Sequence, residues 1–293
     1  MLVREPTKSA ANAFSAQREY SFSPGDFRRV RDLIAKLAGI ALAEHKENMV
    51  YNRLARRLRS TGIGSFGEYM DLVEQPDGAE RGQFVNALTT NLTSFFREGH
   101  HFEMLAAYAA ARRHATPGGG RLRVWSSACS TGEEPYSAAI ALREAECPAE
   151  ILATDIDTEV LRRAQRGNYA LDAAENMRPE RLRRFFLKGV GANEGRIMVR
   201  PELQAMVRFS PCNLQGNDWP SGERFDVIFC RNVMIYFSRE SQRQVLDRFI
   251  SVLRPGGLLF VGHSESYATG HAALRNCGKT SYERRVDDSP RAA

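Results

Sequence analysis

Residues 126–135, a run of small and acidic residues, are the first place where residue types and spacing suggest chemistry. They follow a short apolar segment, and Pro135 suits the first turn of a helix. Small side chains at a strand-to-helix turn let a ligand approach the backbone at the carboxyl edge of an open α/β sheet. Asp155 ends the next apolar segment, 23 residues after Gly132, near the roughly 20 expected for an acid that hydrogen-bonds a ribose. The spacing predicts a site for an adenosine-containing cofactor.

The charges of this turn narrow the choice of cofactor. The turn has one glycine, so it lacks the G-x-G-x-x-G pattern, and Glu133 and Glu134 stand where a pyrophosphate would prefer free helix amides. This argues against NAD and FAD. It favours S-adenosylmethionine, which carries a sulfonium and an ammonium and no phosphate. The alternative is that the two glutamates only interact with the dipole of the following helix.

Other chemistries find little support in the sequence. The six histidines form no H-x-x-x-H pair with a carboxylate partner, and the five cysteines include no C-x-x-C pair, so we predict no metal site and no disulfide framework. The segment Gly262–Ser266 lacks the second glycine of a G-x-S-x-G nucleophile elbow. No apolar run approaches the roughly 18–20 residues of a membrane helix, and no signal peptide is evident. We expect a cytoplasmic protein without membrane insertion.

The distribution of apolar, polar and glycine residues along the chain predicts an α/β protein with two folded parts. Residues 1–20 are interpreted as a mobile tail, 21–92 as a small N-terminal helical domain and 93–118 as a linker helix that ends in a Gly/Pro cluster. In 119–293, short apolar runs alternate with helical stretches, which is typical of a doubly wound, Rossmann-like parallel sheet. Residues 167–206 break the alternation. Their glycine-rich part, with Gly189, Gly191 and Gly195, predicts a hairpin in an inserted antiparallel β-subdomain.

The N-terminal part is strongly basic, and its second predicted helix, Met49–Arg59, carries four arginines. Between Arg28 and Arg59 the sequence has nine Lys or Arg and three acids, an excess equal to the chain's net charge of +6. At 100° per residue, three apolar residues share one helix face, Val50, Leu54 and Leu58. The opposite face carries Asn52, Arg53, Arg56 and Arg59. We interpret this face as a binding surface for an anionic partner, against the alternative of a merely solvated face.

Five motifs in this chain together resemble a known family. They are Thr90–Arg97 (TNLTSFFR), Ser130–Ser137 (STGEEPYS), Thr154–Asp157 (TDID), Phe229–Phe237 (FCRNVMIYF) and Gly262–Glu265 (GHSE). In this order they resemble the chemotaxis receptor methyltransferases, the CheR family, from about Phe27 to Tyr282. The resemblance implies transfer of a methyl group from S-adenosylmethionine to glutamate side chains on cytoplasmic helices of chemoreceptors. The products are glutamate methyl esters and S-adenosylhomocysteine.

The resemblance also implies roles for individual residues. Cofactor contacts fall on Asn91, Thr93, Arg97, Glu133, Asp155, Asn213, Leu214, Arg231 and Asn232. Arg97 and Tyr236 are placed beside the transferred methyl group as catalytic residues. Arg53, Arg56 and Arg59 are expected to bind the acidic receptor, and the hairpin glycines 189, 191 and 195 to tether a receptor C-terminal peptide. Without the resemblance, Thr93 would be interpreted as a helix N-cap and Arg97 as solvated.

Two other functions compete with receptor methylation. A methyltransferase acting on RNA would also explain the basic helix, but the sequence lacks a recognisable nucleic-acid module, and we expect no nucleic-acid partner. A non-catalytic cofactor-binding adaptor would be expected to have lost residues such as Asn91, Arg97, Asp155 or Tyr236, and all four are present.

Overall fold

The computed structural model describes residues 18–76, 78–115, 120–220 and 222–286, with backbone only for 114 and 115. The chain forms two compact units. The first contains 18–33 and 43–88, and the second contains Ile34–Leu42 and everything described from Thr89 onward. Residues 1–17 of the predicted tail, 116–118 of the predicted linker and residue 119 lie outside the described residues. Arg18 and Tyr20 are packed rather than part of a tail, because they hydrogen-bond Glu47 at 3.0 Å and the Tyr51 hydroxyl at 3.3 Å.

The first unit is helical, as the sequence predicts. Its helices are α1 (Pro24–Ala38, whose last turn groups with the second unit), α2 (Glu47–Thr61), α3 (Phe66–Glu74) and α4 (Ala79–Leu88). At the predicted start of α1, the Ser23 amide donates to the Asp26 carboxylate at 2.8 Å and the Asp26 amide donates to the Ser23 hydroxyl at 3.1 Å, a reciprocal cap of the first turn. Inside the unit, Glu80 accepts hydrogen bonds from Arg57 at 2.8 Å and from the fully buried Tyr69 hydroxyl at 2.9 Å.

The second unit is built on a seven-stranded sheet. Its elements, in chain order, are α5 (His100–Ala115), β1 (Leu122–Ser126), α6 (Glu133–Glu144), β2 (Ala149–Asp155), α7 (Thr158–Arg166), β3 (Asn168–Ala170), α8 (Pro179–Phe185), β4 (Phe186–Lys188), β5 (Arg196–Val199), α9 (Pro201–Gln204), β6 (Val207–Pro211), β7 (Phe225–Cys230), α10 (Arg239–Val252), β8 (Leu253–Val261), β9 (Leu274–Gly278) and β10 (Ser281–Arg284). The strand order is β6-β2-β1-β7-β8-β10-β9. The first five strands are parallel, which confirms the predicted α/β class, and β10 pairs antiparallel with β8 and β9.

Alternating side chains of the sheet form a core on each of its faces. Val124 of β1 packs in one cluster with Phe102 and Leu105 of α5. Trp125, the next residue, packs on the other face with Phe249 of α10. Since α5 is packed into this core, the predicted linker helix is part of the second unit, and the boundary falls between Leu88 and Thr89 rather than at 92 or 118.

The predicted insertion forms a separate three-stranded antiparallel sheet in the order β3-β5-β4. In the turn between β4 and β5, Gly191 and Gly195 have φ values of 58° and 77°, which favour glycine. Gly189 is needed for a different reason. A Cβ there would lie 1.9 Å from the Asn193 carbonyl oxygen, so the turn closes only without a side chain.

Candidate active site

The predicted cofactor residues gather at one edge of the large sheet. β1 lies between β2 and β7, and β8 follows β7, all in the same direction. Their carboxyl ends therefore open at one edge, and the strand order reverses at β1, which is where ligands bind in open α/β sheets. Glu133, Asp155 and Arg231 lie on the segments that leave β1, β2 and β7.

Asp155 at the end of β2 shapes the turn after β1. It is 8% exposed, and its two oxygens accept hydrogen bonds from the Ser130 amide at 2.8 Å and the Asp157 amide at 2.9 Å. Ser130 has a φ of 47°, which is uncommon for a residue with a side chain. Burial raises the pKa of Asp155 to about 6. A carboxylate can accept about four hydrogen bonds, so Asp155 retains capacity for a further donor.

Asp157, for which the sequence alone predicts no role, holds Asn91 in place. One of its oxygens caps α7 through the Glu159 amide at 2.9 Å. The other accepts from the Asn91 side-chain amide and from the Thr89 hydroxyl, each at 2.8 Å. The carboxylate is 2% exposed, so the orientation of Asn91 depends on a buried acceptor. A cap residue at this position is visible in the sequence, but its second partner, 66 residues earlier, is not.

The start of α6 combines a buried glutamate with a close backbone approach. Glu133 is 7% exposed and accepts from the Thr131 hydroxyl at 2.7 Å, and burial raises its pKa. Gly132 has a φ of 99°, and a Cβ there would lie 2.8 Å from both the Ala164 Cβ and the Tyr169 hydroxyl oxygen. Only glycine fits this turn.

Arg97 lies in a constrained loop before α5. Its neighbours Phe96 and Glu98 both have positive φ, 54° and 56°, an unusual conformation that surrounding contacts must stabilise. The Arg97 guanidinium donates to the Leu92 carbonyl at 2.8 Å, and its own carbonyl accepts from the Arg231 guanidinium at 2.5 Å. Since α5 begins at His100, Thr93 is not its N-cap, and the alternative of a simple helix cap is wrong.

Arg231 and Asn232 follow β7 directly. Arg231 is 6% exposed, and its Nε lies 3.5 Å from Glu134 Oε2. Asn232 has a φ of 59°. Tyr236, four residues later, is half-buried, and its carbonyl accepts from the Ala41 amide at 2.8 Å.

Asn213 and Leu214, which follow β6, have mainly internal contacts. The Asn213 side chain donates to the Leu37 carbonyl at 2.8 Å and accepts from the Gln215 amide at 3.0 Å. Leu214 is 5% exposed, and its carbonyl accepts from the Trp219 indole at 3.0 Å. Any cofactor contact of Asn213 must share an amide group that already has two partners.

The predicted receptor-binding arginines lie on α2 in the first unit, and they are not equivalent. Arg53 donates to the Leu88 carbonyl at 3.1 Å, at the carboxyl end of α4. Arg59 lies 3.7 Å from the Glu19 carboxylate. Arg56 is exposed, whereas Leu54 and Leu58 on the opposite face are fully buried. The predicted two-faced character of α2 is confirmed, and Arg56 is the residue least involved in the fold.

Comparison with known proteins decides the family. Residues 25–89 match the model of the CheR methyltransferase all-alpha domain, and residues 91–282 match that of the CheR methyltransferase SAM binding domain. The chain belongs to the CheR methyltransferase family. It is 50% identical to the chemotaxis protein methyltransferase of Klebsiella aerogenes over 277 residues, 91% of this chain and 93% of that one. The Escherichia coli relative of the same name is 47% identical over 267 residues, 89% of this chain and 91% of the relative.

The site chemistry of this CheR methyltransferase fits S-adenosylmethionine, its cofactor. Burial raises the pKa of Asp155, Glu133 and Glu134, and residues 126–132 contain no Lys or Arg. A sulfonium and an ammonium would relieve this concentration of buried negative charge. The remaining acceptor capacity of Asp155 fits a ribose hydroxyl.

Within the described residues, no helix is both long enough and apolar enough to cross a membrane, and no cluster of three His, Cys, Asp or Glu side chains could hold a metal ion. All five cysteines are free thiols.

Replacing Asp157 with Ala is expected to weaken binding of S-adenosylhomocysteine as well as to destabilise the fold. The variant loses the α7 cap, worth about 0.5–2 kcal/mol, and it releases the Asn91 side chain. Ser238→Ala is the matched control, because Ser238 caps α10 by accepting from the Ser241 amide at 3.2 Å and has no contact with Asn91. Calorimetric titration and thermal unfolding of both variants check this expectation. Equal loss of affinity in both variants would show that Asp157 is only a cap.

Proposed function

We propose that this protein methylates glutamate side chains on the cytoplasmic helices of chemoreceptors. The observation that carries the proposal is identity of 46–50%, over most of both chains, to relatives named chemotaxis protein methyltransferase. The site supports it, since Asp155 ends β2 and accepts from the Ser130 amide, while hydrogen bonds from neighbouring segments hold the loops of Asn91, Arg97 and Tyr236. A cytoplasmic location agrees with five unpaired thiols.

Methyl transfer requires the protein to orient the two reactants and does not require a general base. S-adenosylmethionine, when bound, supplies an electrophilic methyl group on a sulfonium. A glutamate side chain has a reference pKa of about 4.3 and is already ionised at neutral pH. One of its oxygens forms the new bond to carbon while the carbon–sulfur bond breaks, and the electron pair stays on sulfur, so no proton moves. Alignment of this kind is worth roughly 7–11 kcal/mol.

Arg97 and Tyr236 are the residues we propose beside the transferred methyl group. The Tyr236 hydroxyl orients the substrate carboxylate without neutralising it. Arg97 is already held by the Leu92 carbonyl at 2.8 Å, which favours shaping the pocket and holding the cofactor over a strong ion pair with the substrate. Such an ion pair would stabilise the ground state and slow the reaction. Leu92 and Ile235, the neighbours of these loops, are 81% and 50% exposed, so apolar surface is available next to both.

The cofactor contacts that we propose are Asn91, Thr93, Arg97, Glu133, Asp155, Asn213, Leu214, Arg231 and Asn232. Asp155 and Glu133 are supported best, because both are buried carboxylates at the strand order reversal. Asn213 is supported least, because both ends of its amide already have protein partners.

Incubation with tritium-labelled cofactor and either receptor-containing membranes or RNA tests the function. We expect base-labile methyl esters on receptor glutamates, located by mass spectrometry, and no label on RNA. Label on RNA would support the alternative of an RNA methyltransferase. Binding of S-adenosylhomocysteine without any transfer would support a non-catalytic adaptor.

We propose that Arg53, Arg56 and Arg59 on α2 bind the acidic receptor helix. Arg56 is the clean probe, because it is exposed whereas Arg53 and Arg59 have contacts within the first unit. Methylation should fall with salt, since the Debye length shrinks from about 10 Å at 0.1 M to about 3 Å at 1 M.

We expect Arg56→Ala to lower kcat/KM for the receptor about fivefold, the effect of an exposed contact worth about 1 kcal/mol. Arg56→Glu should lower it further through repulsion, and its remaining activity should depend less on salt. Affinity for S-adenosylhomocysteine should not change. Arg239→Glu, at an exposed position of α10, controls for net charge. Parallel salt curves for wild type and all variants would mean that this face of α2 is only solvated.

We propose that the β-subdomain binds an aromatic-containing peptide at the receptor C-terminus by strand addition. β5 is the middle strand, so β3 and β4 each present an edge to which an extended peptide can add. Large apolar side chains are exposed around this sheet, at Leu171, Val190 and Met198. Val190 lies in the turn between Gly189 and Gly191.

We expect Gly189→Ala to abolish measurable binding of receptor tail peptides, because the added Cβ collides with the Asn193 carbonyl and opens the hairpin. Gly191→Ala is the matched control. The space around Gly191 is open and only its φ of 58° is unfavourable, a cost of roughly 1–2 kcal/mol. NMR titration of the wild type should shift amides of 186–199. Unshifted amides there would contradict the tether, and equal affinity of the Gly189 variant would contradict the role of the hairpin.

A further inference from the structure

The buried carboxylate of Glu265, in the turn after β8, accepts hydrogen bonds from four backbone amides. It is 5% exposed. Its Oε2 accepts from the Gly262 amide at 2.7 Å and from the Asn232 amide at 2.8 Å. Its Oε1 accepts from the Met234 amide at 2.8 Å and from the Val233 amide at 3.1 Å. Both oxygens are fully used, so Glu265 has no capacity left for a ligand and acts on the protein itself.

Three of these amides are consecutive and belong to the loop that leads to Tyr236. Consecutive N–H groups that converge on one point cannot be satisfied by regular secondary structure and are costly when buried without an acceptor. The positive φ of Asn232, 59°, is part of the same arrangement. Because Tyr236 ends the short 3-10 turn that begins at Met234, Glu265 fixes the path of the backbone up to the tyrosine.

The same turn also reaches the loop that carries Arg97. The His263 amide donates to Glu98 Oε1 at 3.3 Å, and Glu98 directly follows Arg97. Arg231, next to Asn232, closes the arrangement by donating to the Arg97 carbonyl at 2.5 Å. Thus the loops of Arg97 and Tyr236, which are 139 residues apart in the sequence, are tied to each other and to one turn.

We propose that Glu265 is a positioning residue for methyl transfer, which acts by holding the Asn232–Tyr236 loop in register with the Arg97 loop. This rests on the proposed function in one respect, the placement of Tyr236 and Arg97 beside the methyl group. Glu265 itself touches neither substrate nor cofactor. It sets where the Tyr236 hydroxyl stands, and an error of position there reduces the rate without removing a binding contact.

The substitution Glu265→Gln isolates this role. Glutamine has the same shape, but its amide nitrogen cannot accept a hydrogen bond, so two of the four backbone amides lose their acceptor. Asp226→Asn is the matched control. Asp226 is a fully buried carboxylate that accepts from the Arg123 amide at 2.8 Å and lies 2.9 Å from the Arg254 guanidinium, at the amino end of β7. Its partners are one backbone amide and the guanidinium groups of Arg112 and Arg254, at the opposite edge of the sheet, so it controls for the loss of a buried carboxylate as such.

A double-mutant cycle with Tyr236→Phe in the full chain tests the proposal. We expect Glu265→Gln to lower kcat about tenfold or more at saturating receptor and cofactor. Tyr236→Phe should also lower the kcat of the wild type, but should change it less than about twofold once Glu265 is replaced, since coupled residues are non-additive. Asp226→Asn should lower the melting temperature and leave kcat per folded molecule unchanged.

Independent, multiplicative effects of the two substitutions would overturn the proposal. The proposal would also be overturned if the Tyr236→Phe enzyme had wild-type kcat, or if a smaller folded fraction explained the whole loss of kcat in Glu265→Gln. If Glu265→Gln does not fold, the same cycle is run with Glu265→Asp, which keeps the charge one methylene shorter. A wild-type enzyme that transfers no methyl group to receptors would instead refute the proposed function, so the two failures are distinguishable.

Discussion

The parallel alignment of β2, β1, β7 and β8 is the constraint on which the rest of the site depends. Strands that run in the same direction end at the same edge, so loops separated by a hundred residues of chain become neighbours. The alternation of side chains along these strands anchors them from both faces, as Val124 and Trp125 of β1 show. The chemistry is then decided by what each loop carries and by how firmly it is held.

Buried carboxylates hold these loops. Asp155 fixes the turn after β1, Asp157 orients Asn91 while capping α7, and Glu265 collects the amides that lead to Tyr236. In each case a carboxylate from one loop satisfies backbone or amide donors of another. The positive φ values of Phe96, Glu98, Ser130 and Asn232 occur in the same loops, which is where strained backbone is expected when surrounding contacts specify it.

Much of this architecture could be predicted from the sequence, because it follows from local patterns. The apolar run Leu122–Ser126 predicts a strand with the bounds that β1 has, and the glycines of the insertion predict the hairpin. The C-terminal β9 and β10 were not predicted. Their residues show no alternation of buried and exposed positions, and Arg275, Asn276 and Glu283 are among them, so these short strands resemble loops in the sequence.

The residue types of the site could be predicted from the sequence, but the hydrogen bonds that connect them could not. A ligand-binding turn and the acid that follows it have a typical separation in the sequence, and the family motifs indicate the remaining candidate residues. No spacing rule connects Glu265 to amides 31–33 residues earlier, or Asp157 to Asn91. These contacts arise only when the sheet has formed. The packing of α5 also depends on the formed sheet, and the Gly/Pro cluster after this helix indicated a linker instead.

The position of β10 has a consequence for how the protein is made. Ser281–Arg284 lies between β8 and β9 in the sheet, so one of its inner strands is synthesised after the other six. Until then β8 has no neighbour on that side, and its backbone donors and acceptors are exposed as an open edge. A chain interrupted before residue 284 therefore lacks an inner strand of this sheet and presents a ready template for intermolecular pairing.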